Sequence, residues 1–291
     1  MIQEHQIQQK QMQEQYSLTE QQVEHFRVFG FLIRRKLFSP VEMRQIHDEF
    51  DRRLAAVQRE AGPRDARHFH NWPNRVPKSP YIASLLEDPR IYASSEQLLG
   101  QNAVPVHSNS NSYCEDTPWH PDTTDRHLLM IKNVMYLQRT TPDQGALRLI
   151  PGSHQSPLYD ELLRIGINGT CGDVPRFFTE SGFSAEDIPC HVFSSEPGDL
   201  ITFNERTWHG AFGSYADRRT CTFNFVSDPQ SAAEKTDLRA QVAGYKESRT
   251  ALGTTGGQYD PWWLSNPDNS ARRARWIRWL DEWGFVEAGN G

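Results

Sequence analysis

The sequence predicts a mainly β fold, a sandwich or barrel of short strands, with helices on either side of it in the chain. Three observations carry this. Between Val104 and Val226, short apolar or alternating runs are separated by Gly, Pro, Asn and Asp, the punctuation of an all-β domain. Ahead of them, two segments open with helix-capping residues. Near the end, Trp276, Trp279 and Trp283 recur at helical spacing, as expected of a terminal helix packed on the core.

The elements follow in order. Residues 1–16, dominated by Gln and Glu, offer little to bury and read as a disordered leader. Thr19 with Gln22 forms a capping box, and Val23, Phe26 and Phe29 follow on one helical face before Gly30. Phe31-Leu32-Ile33 is a short strand. Ser39-Pro40-Val41-Glu42 supplies an N-cap, a proline at the first helical position and a capping glutamate for a second helix through Met43, Ile46, Phe50 and Leu54. Pro63, Pro73, Pro77 and Pro80 mark a loop, and a third helix is expected over Tyr81–Leu99. Candidate strands are 104–113, 128–138, 146–150, 200–203 and 220–226. The expected organisation is one unit over 17–291: a helical layer to about 100, a β core over 104–228 and a helical extension over 229–291.

Bulk properties narrow the class. In 291 residues, 37% are apolar and 23% charged, and mean hydropathy is -0.70, a soluble globular profile. No run approaches the roughly 18 apolar residues of a membrane helix, and the N-terminus lacks the apolar stretch of a signal peptide, so a cytoplasmic location is expected. The net charge of -6 argues against nucleic acid as a general partner. Cys114, Cys171, Cys190 and Cys221 share no C-x-x-C spacing and read as free thiols.

The chemistry concentrates in a few residues. In His120-Pro121-Asp122, an extended backbone would turn the imidazole and the carboxylate to the same side. His209 follows on a different strand, after Gly198-Asp199 and the apolar run Leu200-Ile201-Thr202-Phe203. Two histidines and one carboxylate form a facial set that leaves positions open on a non-haem iron. Zinc hydrolases more often use three histidines, or two with a helical glutamate, and neither pattern is present. Arg218 and Arg219 lie past a turn at the start of the strand that returns toward His209, where a guanidinium fork can take both oxygens of a carboxylate.

These residues, in this order, resemble the phytanoyl-CoA dioxygenase family of Fe(II)/2-oxoglutarate oxygenases over roughly residues 17–228. The resemblance runs from Leu18-Thr19-Glu20-Gln21 and Phe29-Gly30-Phe31-Leu32 through Trp119-His120-Pro121-Asp122 and Gly145-Ala146-Leu147-Arg148-Leu149-Ile150-Pro151-Gly152-Ser153-His154. It ends with Gly198-Asp199, His209-Gly210 and Arg218. It implies a double-stranded β-helix (jelly-roll, cupin-like) core, with Fe(II) on His120, Asp122 and His209. It also implies 2-oxoglutarate on Arg218, with O2 as oxidant and hydroxylation of a small molecule alongside release of succinate and CO2. Arg218 is chosen over Arg219 because the family arginine is often followed by a second basic or polar residue. His154 is implied to be a turn residue and not a ligand.

The chain also departs from the family pattern. A lysine often precedes the His-x-Asp motif in the family, but here that strand reads Ser108-Asn109-Ser110-Asn111-Ser112. Asn109 and Asn111 share a face, and Asn111 is taken as the co-substrate contact. Ala211 stands where some relatives carry a hydroxyl.

Desaturation, demethylation or epoxidation would use the same site. A non-catalytic ligand-binding β-helix, or a Zn or Mn enzyme of cupin type, are the alternatives from other classes. The basic and aromatic stretch from Arg64 to Lys78, which includes Arg67, Trp72 and Arg75, would suit an anionic substrate. Its alternative reading is a solvated loop that packs Phe69 and Trp72.

Overall fold

The computed structural model describes residues 14–61, 70–73, 79–100, 102–113, 116–169, 174–213, 218–251 and 259–286. Arg64, Arg67, Arg75 and Lys78, residues 1–13 of the expected leader, Cys114 and Cys171 lie outside the described residues.

The core is a double-stranded β-helix made of two antiparallel sheets. The N-terminal elements that pack on it form where their caps predict. Helix α1 (Glu20–Phe29) opens on the Thr19–Gln22 capping box and ends at Gly30, which has φ 84°. A side chain at Gly30 would be excluded twice, by that left-handed backbone and by crowding. Its Cβ would lie 2.5 Å from His154 Nδ1 and 2.6 Å from Thr207 Oγ1. Strand β1 (Phe31–Arg34) follows. Helix α2 (Pro40–Ala61) begins behind Ser39, whose backbone N–H donates to Glu42 Oε2 at 2.8 Å while the Glu42 N–H donates to Ser39 Oγ at 3.3 Å.

Strand β2 (His70–Pro73) comes next. The single helix expected over 81–99 is instead two, α3 (Pro80–Ser84) and α4 (Pro89–Leu99), joined by a 3-10 turn. Asp88 caps α4 in extended conformation, because a residue before proline is pushed out of the helical region.

The β core comprises β3 (Val104–Tyr113), β4 (Thr117–His120), β5 (Met130–Tyr136), β6 (Leu147–Leu149), β7 (His191–Phe193), β8 (Leu200–Asn204), β9 (His209–Ala211) and β10 (Arg218–Val226). Helices α5 (Leu158–Ile165) and α6 (Arg176–Ser181) stand between β6 and β7. The larger sheet has the order β1-β8-β5-β10-β3-β2, and the smaller β4-β9-β6-β7. β2, which falls inside the stretch expected to be a loop, and β4, β7 and β9 were not expected from the sequence. Each has only three or four residues, too few for a periodic signal.

Helices α7 (Ala232–Ala251), α8 (Pro261–Ser265) and α9 (Ala271–Glu282) complete the described chain. Trp276 on α9 is fully buried, with its Nε1 donating to Ala103 O at 2.8 Å. It packs on Phe225 of β10 at a ring distance of 6.0 Å. No helix among the described residues is long and apolar enough to cross a membrane. Cys190 and Cys221 are free thiols, and burial pushes the Cys221 thiol up to about 12.

Candidate metal and co-substrate site

The interior face of the larger sheet sets the floor of a cavity of about 90 Å³. Strand alternation delivers its lining in register: Thr220 pairs with Tyr136, and Thr222 with Val134. Lys132 pairs with Asn224 on one side and Phe203 on the other. The smaller sheet closes the opposite wall, where His120 of β4 and His209 of β9 are directly paired.

His120, Asp122 and His209 converge, each offering one ligand atom within 4.8 Å of the others. His209 Nε2 lies 3.5 Å from Asp122 Oδ2, and His120 Nε2 lies 3.8 Å from Asp122 Oδ1. The other ring nitrogens face carbonyls, His120 Nδ1 to Pro118 O at 2.8 Å and His209 Nδ1 to Thr207 O at 2.9 Å. A carbonyl only accepts, so both Nδ1 atoms carry a proton and both Nε2 atoms are turned to the shared centre. This is how a protein prepares histidines as metal ligands.

Burial drives the His209 pKa down to about 3, which keeps the ring neutral at physiological pH. Burial alone would raise the Asp122 carboxyl, but the Lys132 ammonium beside it outweighs burial and holds the group well below the usual carboxylate range. The donor set therefore fits a divalent cation on chemical grounds: two imidazoles whose Nε2 atoms face one centre, that of His209 held neutral by burial, and one ionised carboxylate.

Asp122 lies past the end of the strand that carries His120, so the expectation of one extended backbone through His120-Pro121-Asp122 does not hold. β4 ends at His120, because Pro121 has no N–H to continue the ladder. The carboxylate is aimed instead by a bend, in which the backbone N–H groups of Asp122 and Thr123 donate to Glu205 O at 2.8 and 3.3 Å.

The two arginines part company. Arg218 is buried in the cavity wall and donates from Nη1 to Gly145 O at 2.9 Å and from Nη2 to Thr117 Oγ1 at 2.8 Å. Arg219, one residue on, faces the other side of the sheet, where it meets Asp51 and His47 of α2. Asn111 of β3 is buried beside Thr220, with its Nδ2 3.5 Å from Thr220 Oγ1. It lies directly across the ladder from Thr220, on the same face of the sheet, while Thr220 and not Asn111 is among the residues lining the cavity.

The family profile for phytanoyl-CoA dioxygenase (PhyH) matches residues 26–220, well over half of the chain. The chain belongs to the phytanoyl-CoA dioxygenase family. It is a 2-oxoglutarate-dependent, non-haem iron dioxygenase.

Solved structures share the fold. HygX from Streptomyces hygroscopicus with nickel and 2-oxoglutarate bound is 21% identical, with a TM-score of 0.56, over 72% of this chain and 88% of that one. EctD from S. alaskensis with bound Fe is 21% identical with a TM-score of 0.55, over 72% and 77%. SnoK, a non-heme alpha ketoglutarate dependent carbocyclase from nogalamycin biosynthesis, is 18% identical with a TM-score of 0.52, over 72% and 84%. No curated protein sequence matches the chain.

Within this dioxygenase, the run Ile150-Pro151-Gly152-Ser153-His154 acts as a clamp on the strand that carries His209. Ser153 Oγ accepts from the Trp208 N–H at 2.9 Å, and the Ile150 N–H donates to Trp208 O at 3.0 Å. His154 Nε2 faces Arg27 O at 3.2 Å and is not one of the converging metal-ligand residues.

Two charged residues of the site escaped the sequence reading. Lys132 Nζ donates to Asp122 Oδ2 at 2.6 Å. Its signal was present, a lysine in the middle of the apolar run from Met130 to Tyr136, on a strand buried on both faces. Glu205, buried beside the site, accepts from Asn224 Nδ2 at 2.7 Å. Burial first, and then the Asp122 charge, push its carboxyl up to about 7. Nothing in the local sequence distinguishes it.

Proposed function

We propose that this dioxygenase hydroxylates a small-molecule metabolite, with iron held by His120, Asp122 and His209 and the distal carboxylate of 2-oxoglutarate anchored by Arg218. The observation that carries the reading is a buried guanidinium and a two-histidine, one-carboxylate cluster in the walls of one cavity. When bound, the iron would supply activation of O2 coupled to decarboxylation of 2-oxoglutarate to succinate and CO2.

The chain's own residues do the rest. His120 and His209 turn their Nε2 atoms to the metal position, and Asp122 supplies the negative charge. Thr117 and Gly145 hold the Arg218 fork so that it faces the cavity. Val134, Leu147, Phe203 and Ala211 give that cavity apolar walls that limit water. Thr220 and Thr222 add hydroxyls along the floor, which suits a substrate with polar groups. Retention of a carboxylate at Asp122 supports hydroxylation over halogenation, since a halide needs the position that the carboxylate fills.

The test is succinate formation from 2-oxoglutarate by the Fe(II)-loaded protein, first alone and then against a panel of candidate metabolites. Substrate-stimulated succinate release with one oxygen atom gained by the substrate is the expected outcome. A protein that binds 2-oxoglutarate yet never yields succinate would overturn the reading in favour of a ligand-binding role.

A further inference from the structure

The carboxylate of Asp122 has two oxygens, and how many of them reach a metal decides how many positions stay open. A six-coordinate ion held by two imidazoles and one carboxylate oxygen keeps three open positions, whereas a carboxylate binding through both oxygens leaves two. A chelating keto acid fills two, so only single-oxygen presentation leaves one to spare. A carboxylate in a cavity, with no partner on its second oxygen, is free to close onto the ion with both.

Here both oxygens face the ligand cluster, Oδ1 toward His120 Nε2 and Oδ2 toward His209 Nε2, so binding through both is within reach, and one of them has a partner. Lys132 Nζ sits 2.6 Å from Asp122 Oδ2, and both side chains are mostly covered, 16% and 19% exposed. The ammonium reaches this oxygen from β5, where the lysine is flanked by Asn224 and Phe203, with the Phe203 ring centroid 5.8 Å from Nζ. The other buried carboxylate nearby, Glu205, is engaged by the Asn224 amide. The backbone of Asp122 is pinned separately, through its N–H to Glu205 O. With the backbone held, what remains is rotation of the side chain about χ1 and χ2, and Lys132 is the group placed to arrest it.

We propose that Lys132 is a positioning residue that occupies one oxygen of Asp122 and so holds it to single-oxygen metal binding, keeping a third position open at the metal. This rests on the assignment of His120, Asp122 and His209 as the metal ligands. Lys132 acts through Asp122, and charge-assisted hydrogen bonds of this length are among the stronger ones in proteins. Partners behind a metal ligand commonly change metal affinity or activity by about 10–100-fold when removed.

The experiment uses Mn(II), an oxygen-insensitive stand-in for Fe(II), with the full chain, Lys132→Met and Lys132→Arg. Methionine keeps the length of the stem and removes the donor and its charge; arginine restores both. Water-proton relaxation reports how many exchangeable waters the bound Mn(II) carries, and titration gives the affinities for Mn(II) and then for 2-oxoglutarate.

For Lys132→Met we expect Mn(II) binding no weaker than in the unaltered protein. The relaxation enhancement per bound ion should fall by about a third, as one water of three gives way to the freed carboxylate oxygen. Affinity for 2-oxoglutarate in the Mn(II) form should fall about tenfold. Lys132→Arg should return all three quantities toward the unaltered values. Should Lys132→Met fail to fold, Lys132→Ala carries the same measurements.

Unchanged relaxation in the Met variant would overturn the proposal. So would a parallel loss of Mn(II) and 2-oxoglutarate binding, or an Arg variant that matches the Met variant. Failure of the unaltered chain to bind Mn(II) at all would instead sink the ligand assignment beneath it.

Discussion

Arg218 and Arg219 are adjacent in sequence and opposite in fate, which makes them a sharp test of the site. Arg218→Ala removes a guanidinium that is 3% exposed and aligned by Gly145 O and Thr117 Oγ1 at 2.9 and 2.8 Å. Against a bound carboxylate, deleting one side of a buried charge pair costs about 3–5 kcal/mol, and the lower figure alone is a factor of roughly 150 in affinity. Arg219 is different. Its side chain is 22% exposed and its partner Asp51 is 45% exposed, so the pair contributes only about 0–1 kcal/mol, and to stability, not to ligand binding. Titration of 2-oxoglutarate into the Mn(II)-loaded variants should show a loss of roughly two orders of magnitude for Arg218→Ala and less than about twofold for Arg219→Ala. Thermal unfolding of the same samples separates ligand binding from general damage. The reverse ranking, with both variants folded, would move the anchor to the other face of the sheet and refute the cavity assignment.

His209→Ala and Asp122→Ala should each abolish measurable Mn(II) binding and Fe(II)-dependent succinate formation, with circular dichroism unchanged, because ligand side chains on a preformed β-helix are not its core. Glu205→Gln keeps an acceptor for Asn224 and removes a carboxyl whose folded pKa is raised to about 7. A raised folded pKa gives stability that is present below the unfolded value near 4.5 and is lost as pH rises through about 7. In the metal-free protein the Gln variant should therefore gain on the unaltered chain between pH 5 and 8, by at most roughly 3 kcal/mol; parallel urea-denaturation curves at both pH values would expose the idea as wrong. Trp276→Ala empties a fully buried site and removes the donor to Ala103 O. It should cost about 3–5 kcal/mol in chemical denaturation, and a loss under 1 kcal/mol would mean that α9 is not part of the cooperative core.

The sequence by itself determined the local starts and stops, because these depend on a few contiguous residues. The Thr19–Gln22 box, Ser39-Pro40, Gly30 and the long strand from Val104 to Tyr113 all stand where their chemistry requires. It also named the three residues that converge, His120, Asp122 and His209, since a facial set is a pattern of residue types in order, and it placed an arginine pair after them without separating Arg218 from Arg219.

What only the tertiary structure decided are the matters that depend on which strands become neighbours. β4 and β9 are too short to announce themselves, yet their pairing sets His120 opposite His209. Asp122 is aimed by a carbonyl of Glu205, far along the chain. The one-residue offset between Arg218 and Arg219 selects opposite faces of β10, and the sequence supplies no sign of which face is inside. Lys132 was readable only as an oddity in an apolar strand until β5 was set beside β8 and β10, with Asp122 brought across the cavity. A charge on a buried strand persists only where another charge or a ligand meets it, and the chain's linear order does not say where that partner will be.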